Sequence, residues 1–315
     1  MHKSYNDDRS YRYLELENRL RVLLVSDTET DKAAASLVAF RGSQHEPDAY
    51  PGLAHFLEHM LFIGTKKFPE VDGYQRSLAS HGGFTNAYTA TDHTNYFFEV
   101  QPEYLIEGLD RFSQFFISPL FEADYVDREK KAVASEYQMQ FKADDWRVSA
   151  AQKKLMNPNH PASRFSIGNL DTLGEGVREA LISFFEQNYS ADQMALVVLG
   201  RQSLDDLEHA VVPLFSPIAD RDIGSGAITV PLFADATLPV RLTVEPLTLS
   251  IGGEERTIVA EDEPFFTAYY EIESPEVLVS PEWAEAVETG RWGEQVRPYT
   301  KNRRHVLRKV MEAGA

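Results

Sequence analysis

Pro51-Gly-Leu-Ala-His-Phe-Leu-Glu-His-Met60 is the stretch from which the rest of the chain can be read. His55 and His59 stand four residues apart, one helical turn, so on a helix both imidazoles leave the same face with Glu58 beside them. Two imidazoles and a carboxylate converging just off a helix suit a tetrahedral metal with one position left open. Phe56, Leu57, Met60, Leu61 and Phe62 give the segment an apolar body. Pro51-Gly52 marks a turn before it, and Gly64-Thr65 with Pro69 closes it. The competing reading, two partly buried histidines and a surface glutamate, fits any one of these residues but not the whole pattern.

The order H-x-x-E-H is the inverzincin signature, the reverse of H-E-x-x-H. In both orders the carboxylate serves as a general base rather than as a ligand, and we assign that role to Glu58. A catalytic zinc takes three protein ligands. The chain has no cysteine, which leaves His, Asp or Glu for the third. The best source is the run 123–140, which lacks Gly and Pro and has helical periodicity. Glu129 and Glu136 lie seven apart on it and share a face. One could coordinate while the other holds a ligand histidine; spacing alone does not choose between them, or against a solvated charged face.

Gly52-Leu-Ala-His-Phe-Leu-Glu-His-Met-Leu-Phe-Ile-Gly-Thr65 resembles the active-site signature of the pitrilysin/insulysin metallopeptidases. The similarity takes in Asp31–Leu37, Arg41-Gly-Ser43, Gly83–Thr89, His93–Phe97, Arg128–Glu136, Phe165-Ser-Ile-Gly-Asn169 and the region Tyr189–Gly200. It covers roughly residues 10 to 220 and is nearest to the long-chain branch. The resemblance implies His55 and His59 as zinc ligands and Glu58 as the base. It makes Glu136, 136 − 55 = 81 positions beyond His55, the third ligand, and Glu129 a supporting carboxylate. Asn86 and Ala87 match the edge strand onto which a substrate peptide adds through main-chain hydrogen bonds. The implied activity is a zinc-dependent endopeptidase with loose sequence preference, acting on short peptides or unfolded polypeptides.

Composition is that of a protein with ample material for a core: 43% of residues are hydrophobic. A net charge of −18 argues against nucleic-acid binding, where a basic face is expected. No stretch reaches the length of a membrane span. Residues 1–9 have no apolar core of the signal-peptide kind. The cytoplasm is the expected compartment; the periplasm is the alternative if a leader has been lost, since bacterial members of the branch are often exported.

The expected fold class is α+β, a mostly antiparallel sheet packed with helices. Strands are expected at 19–25, 35–40, 84–90, 95–100 and 194–200. Helices are expected over the metal motif and at 74–80, 102–116, 123–140, 147–156, 176–188 and 204–215. Residues 1–220 are read as the catalytic domain, and 221–247 as a linker and the start of a second family domain. Residues 248–315 are an unassigned segment, truncated or fused. Within it, 280–290 has the caps of a short helix, 265–272 the pattern of a strand, and Arg297 to Lys309 a basic tail resembling the end of a small ferredoxin-like domain.

The resemblance also implies a missing part. Long-chain relatives carry four related domains and short ones work as paired subunits; the distal half closes over the zinc and supplies an Arg and a Tyr. No counterpart is assignable here. The alternative function is therefore a weakly active or non-catalytic zinc- and peptide-binding subunit that needs a partner. S-ribosylhomocysteine lyase shares an H-x-x-E-H but uses a cysteine, which this chain lacks.

Overall fold

The computed structural model of the chain describes residues 3–140, 143–233, 247–251 and 254–258. The expected helix at 280–290, the strand at 265–272 and the basic tail lie outside these. The chain divides into two compact units, Met1–Phe141 with Arg164–Thr229, and Lys142–Ser163 with Val230–Ala315.

The first unit is built on a six-stranded sheet. Its strands are β1 (Ser10–Glu15), β2 (Arg21–Ser26), β3 (Ala33–Ala39), β4 (Phe84–Thr89), β5 (Thr94–Val100) and β6 (Met194–Gly200). Their spatial order is β1-β2-β6-β3-β5-β4. All neighbours are antiparallel except β2 and β6, which run parallel from Arg21↔Ala195 to Ser26↔Gly200. The fold is thus α+β with a mixed, mostly antiparallel sheet. Arg19, expected in the second strand, instead turns with φ of 64°.

Period-two alternation puts one face of the sheet in the core. Ala35, Leu37 and Ala39 of β3 stand opposite Phe98, Tyr96 and Thr94 of β5, and Val198, Leu196 and Met194 of β6 continue the row. All are buried. The helices of this unit are α1 (Leu53–Leu61), α2 (Gly73–Ser80), α3 (Leu105–Ile117), α4 (Ala123–Gln140), α6 (Val177–Asn188) and α7 (Leu204–Phe215); α5 (Asp144–Leu155) belongs to the second unit. Phe112 and Phe116 of α3 pack edge-on with each other and with Phe98 and Tyr96 respectively, and Phe115, on the same helix face, lies tilted against both. Inside this cluster Tyr96 and Tyr189 satisfy each other through hydroxyls 2.7 Å apart, as buried polar atoms must.

Residues 219–229 form no regular element but are tied to the first unit. Arg19 clasps Asp220 and Asp222. Buried Arg41 donates to the carbonyls of Gly224 and Ser225. In the second unit, α5 is followed by a 3-10 turn at Pro161–Ser163, and Asn157 is held by the carbonyls of Pro231 and Leu232. Strands β7 (Leu247–Ile251) and β8 (Glu254–Ile258) form an antiparallel hairpin there, an element the sequence reading did not anticipate.

Candidate functional site

Helix α1 is short and almost wholly embedded: Leu53, Ala54, Phe56, Leu57, Met60 and Leu61 are buried. Burial of that apolar face fixes the helix rotation, and the remaining face presents His55, Glu58 and His59 toward α4 and β4, both of which α1 touches. His55 and His59 are one turn apart, with ring centroids 4.8 Å from each other.

Across from them α4 brings Glu136. Its Oε2 lies 3.7 Å from His55 Nε2 and 3.4 Å from His59 Nε2. Gln140 donates to its other oxygen at 3.2 Å. One donor atom from each of His55, His59 and Glu136 falls within 4.8 Å of the others. Ligands about 2.0–2.1 Å from a zinc at tetrahedral angles stand about 3.3–3.5 Å apart, so the spacing and the donor types fit that metal. The tautomer fits too. His55 Nδ1 is 2.7 Å from the carbonyl of Ile167, to which only a protonated Nδ1 can donate; in a neutral ring that bond makes Nε2, the nitrogen on the Glu136 side, the one able to bind a metal.

Glu129, one of the two acidic residues left open on α4, approaches only His59, with 3.7 Å between Oε2 and Nδ1. Its second oxygen accepts from Arg128 at 3.0 Å. Glu136 thus faces both histidines and Glu129 the back of one, a distinction that seven-residue spacing could not make.

Charge is concentrated here. Burial opposes a proton on His59, but the carboxylates of Glu129 and Glu136 outweigh it and push His59 up to about 9. His59 in turn holds Glu129 and Glu136 below the usual carboxylate range. Glu58 is different: burial raises its pKa, although Thr89 donates to its Oε2 at 2.6 Å and the two histidines oppose the shift. A carboxylate with raised proton affinity, one oxygen fixed, beside a three-ligand metal site can take a proton from a water there.

Strand β4 ends the sheet. The backbone N–H of Ala87 donates to the side-chain oxygen of Asn86, 2.9 Å away. It is therefore not spent on β5 and points to the open edge. Phe84 and Tyr88 are about half exposed along the same strand. Asn86 and Ala87 lie on the strand whose inward-alternating Thr89 touches Glu58, so the edge and the metal face are neighbours.

Three contributors escaped the sequence reading: Thr89, the Ile167 carbonyl and Glu46. Strand alternation could have placed Thr89 on the α1 side. Nothing local marks Glu46, whose carboxylate, 4% exposed, accepts from the N–H groups of Gly52 and Ala54.

The sequence pattern of the insulinase family (peptidase family M16) matches residues 21–163, and that of the peptidase M16 inactive domain matches residues 177–295. The chain belongs to the insulinase family. Among relatives of this insulinase-family chain, the insulin-degrading enzyme of Mus musculus is 47% identical over 228 residues, which make up 70% of this chain and 22% of that one. A putative zinc protease of Schizosaccharomyces pombe, mug138, is 46% identical over 73% of this chain and 24% of its own length. The crystal structure of pitrilysin superposes with a TM-score of 0.73 at 38% identity, covering 75% of this chain and 26% of that one. The insulinase-family chain described here thus spans about a quarter of the length of these relatives. Among its described residues no helix is long and apolar enough to cross a membrane.

Proposed function

We propose that this chain is the zinc-holding catalytic part of a metalloendopeptidase that hydrolyses peptides or unfolded polypeptides. The observation that carries the reading is the convergence of His55, His59 and Glu136 on one point, with Glu58 on the same helix as the two histidines. Zinc held by those three residues would lower the pKa of a water toward neutrality and polarise a scissile carbonyl. Glu58 is the general base. Thr89 fixes one of its oxygens, and the other takes the proton and returns it to the leaving amine. Glu129 steadies His59 from behind. Asn86 and Ala87 receive the substrate backbone as an added strand, which reads main chain more than side chain and gives loose sequence preference.

Residues 1–220 form the catalytic domain in this reading, 221–247 the linker and the start of a second family domain, and 248–315 a segment without an assigned role, although the peptidase M16 inactive-domain pattern runs on through residue 295. A second reading keeps zinc and peptide binding and differs only in turnover. In it the chain holds zinc and peptide but turns over weakly until further domains or a partner subunit close the chamber.

The test is zinc analysis of the purified chain together with cleavage of a quenched fluorescent peptide, beside Glu58→Gln. The expected result is near one zinc per chain and turnover that a chelator and Glu58→Gln both abolish. One zinc, peptide binding and no cleavage would support the second reading. A chain that takes up no zinc would sink both.

A further inference from the structure

The first turn of α1 has no cap from its own sequence: Gly52, at the N-cap position, has φ of 94° and no side chain to offer. The opening N–H groups of a helix still need partners. Leu53 donates to the carbonyl of Tyr50 at 3.1 Å. Two more are taken by one carboxylate: Gly52 N–H donates to Glu46 Oε1 at 2.9 Å and Ala54 N–H to Glu46 Oε2 at 3.1 Å. A buried carboxylate spanning two backbone donors at the positive end of a helix is a strong and directional clamp.

The clamped turn is also the one that meets the support of His55. A Cβ on Gly52 would lie 2.2 Å from the backbone N of Gly168. Gly168 itself turns at φ of 92°. Only glycine at both places lets the two backbones approach so closely. The carbonyl just before this contact, that of Ile167, is the one accepting from His55 Nδ1. Arg164, at the start of the same loop, reaches back to the main-chain oxygen of Glu46 at 3.4 Å and pairs with Asp48 at 2.7 Å. The segment 46–48, the loop 164–168 and the first turn of α1 therefore close a ring around His55.

We infer that Glu46 is a positioning residue of the metal centre: by fixing the first turn of α1 against the 167–168 turn, it sets the place from which His55 Nε2 faces Glu136. Glu46 does not touch the metal point and acts only through α1. The inference rests on the zinc reading of His55, His59 and Glu136, and a sequence motif could not reveal it, because the clamp is made from six and eight residues away.

The experiment is zinc affinity of the whole chain by competition with a chromophoric chelator, for wild type, Glu46→Gln and Glu46→Ala. Ser203→Ala serves as a control that removes the cap of α7, where Ser203 accepts from Asp206 N–H, far in sequence from the metal helix. Thermal unfolding of the zinc-free forms is recorded for each, with two-bond 1H–15N spectra of the imidazoles. The expected result is zinc binding weakened about 10–100-fold in Glu46→Ala, the range for residues that orient a ligand. Glu46→Gln, which keeps one acceptor oxygen, falls between, and Ser203→Ala binds as wild type despite its own loss of stability. The His55 Nδ1–H signal is expected to broaden or vanish in Glu46→Ala only. A folded Glu46→Ala with wild-type zinc affinity would overturn the inference while leaving the zinc site standing. Should that variant fail to fold, unchanged affinity in Glu46→Gln would overturn it equally. A wild type that binds no zinc removes the metal reading itself, and the inference with it.

Discussion

Helices α1 and α4 carry the candidate site between them, yet they are held in opposite ways. In α1 seven of nine residues are buried, Glu58 among them. In the eighteen residues of α4 only Val126 and Val133 are. Those two valines interleave with the candidate-site glutamates: Val126, Glu129, Val133 and Glu136 step by three, four and three, one stripe along a helix. The core sets α1 and its histidines. By contrast α4 is laid over them with two fully buried anchors, helped by the partly buried Tyr125 and by Tyr137 against Phe165, and one anchor, Val133, lies so near the turn under His55 that a Cβ on Gly168 would come within 3.2 Å of it. A rigid half of the site supplies geometry, and a lightly anchored half supplies the carboxylate that completes it.

The comparison breaks or sharpens under substitution. The largest effect belongs to α1 chemistry: Glu58→Gln should lower turnover by roughly 10²–10⁴-fold with zinc content unchanged. Loss of zinc in that variant would mean that Glu58 is a ligand and the division of roles is wrong. Anchoring comes next. Leu57→Ala should cost about 2–5 kcal/mol of global stability, and Val133→Ala only about 1–2 kcal/mol, read from urea midpoints. Equal costs would show that α4 is as deeply embedded in the cooperative core as α1.

Within α4, Glu136→Gln should abolish stoichiometric zinc, whereas Glu129→Gln should keep it with affinity reduced about 10–100-fold. Isothermal titration separates the two, and the reverse order would exchange ligand and support. The smallest effect is on pH, because water reaches about a quarter of the His59 side chain (24% exposed) and screens its pairs with α4. In the zinc-free chain His59 holds its proton up to about 9, above its ordinary 6.5. That contribution to stability is complete below about 6.5 and fades as pH rises through 9. The zinc-free chain should therefore unfold at lower urea at pH 10 than at pH 6.5, and His59→Gln should flatten part of the difference.

The same contrast explains what could be read without a structure. His55, Glu58 and His59 share one turn, so a short window carries their whole geometry. Strands β3, β5 and β6 are apolar or β-branched runs buried on one face, and their bounds follow within a residue or two. Strand β1, Ser-Tyr-Arg-Tyr-Leu-Glu, was missed because it lies at the sheet edge with no buried residue to impose alternation. Glu129 and Glu136 are equivalent along a helix and differ only in which histidine nitrogen they meet. Thr89 and Glu46 act from 31 residues after Glu58 and six residues before Gly52, and no local pattern records such contacts.

The place of β6 has a consequence for how the chain is made. It lies between β2 and β3, pairing in parallel with one and antiparallel with the other, and among the described residues is the only strand joining the β1–β2 hairpin to the β3–β5–β4 group. Until residue 200 has left the ribosome, the sheet exists as two pieces with open edges. Such long-range closure is slow, and unpaired edges invite association. The sheet is therefore sealed late in synthesis, by a strand that the chain delivers some 155 residues after the later of its two neighbours, 194 − 39 = 155.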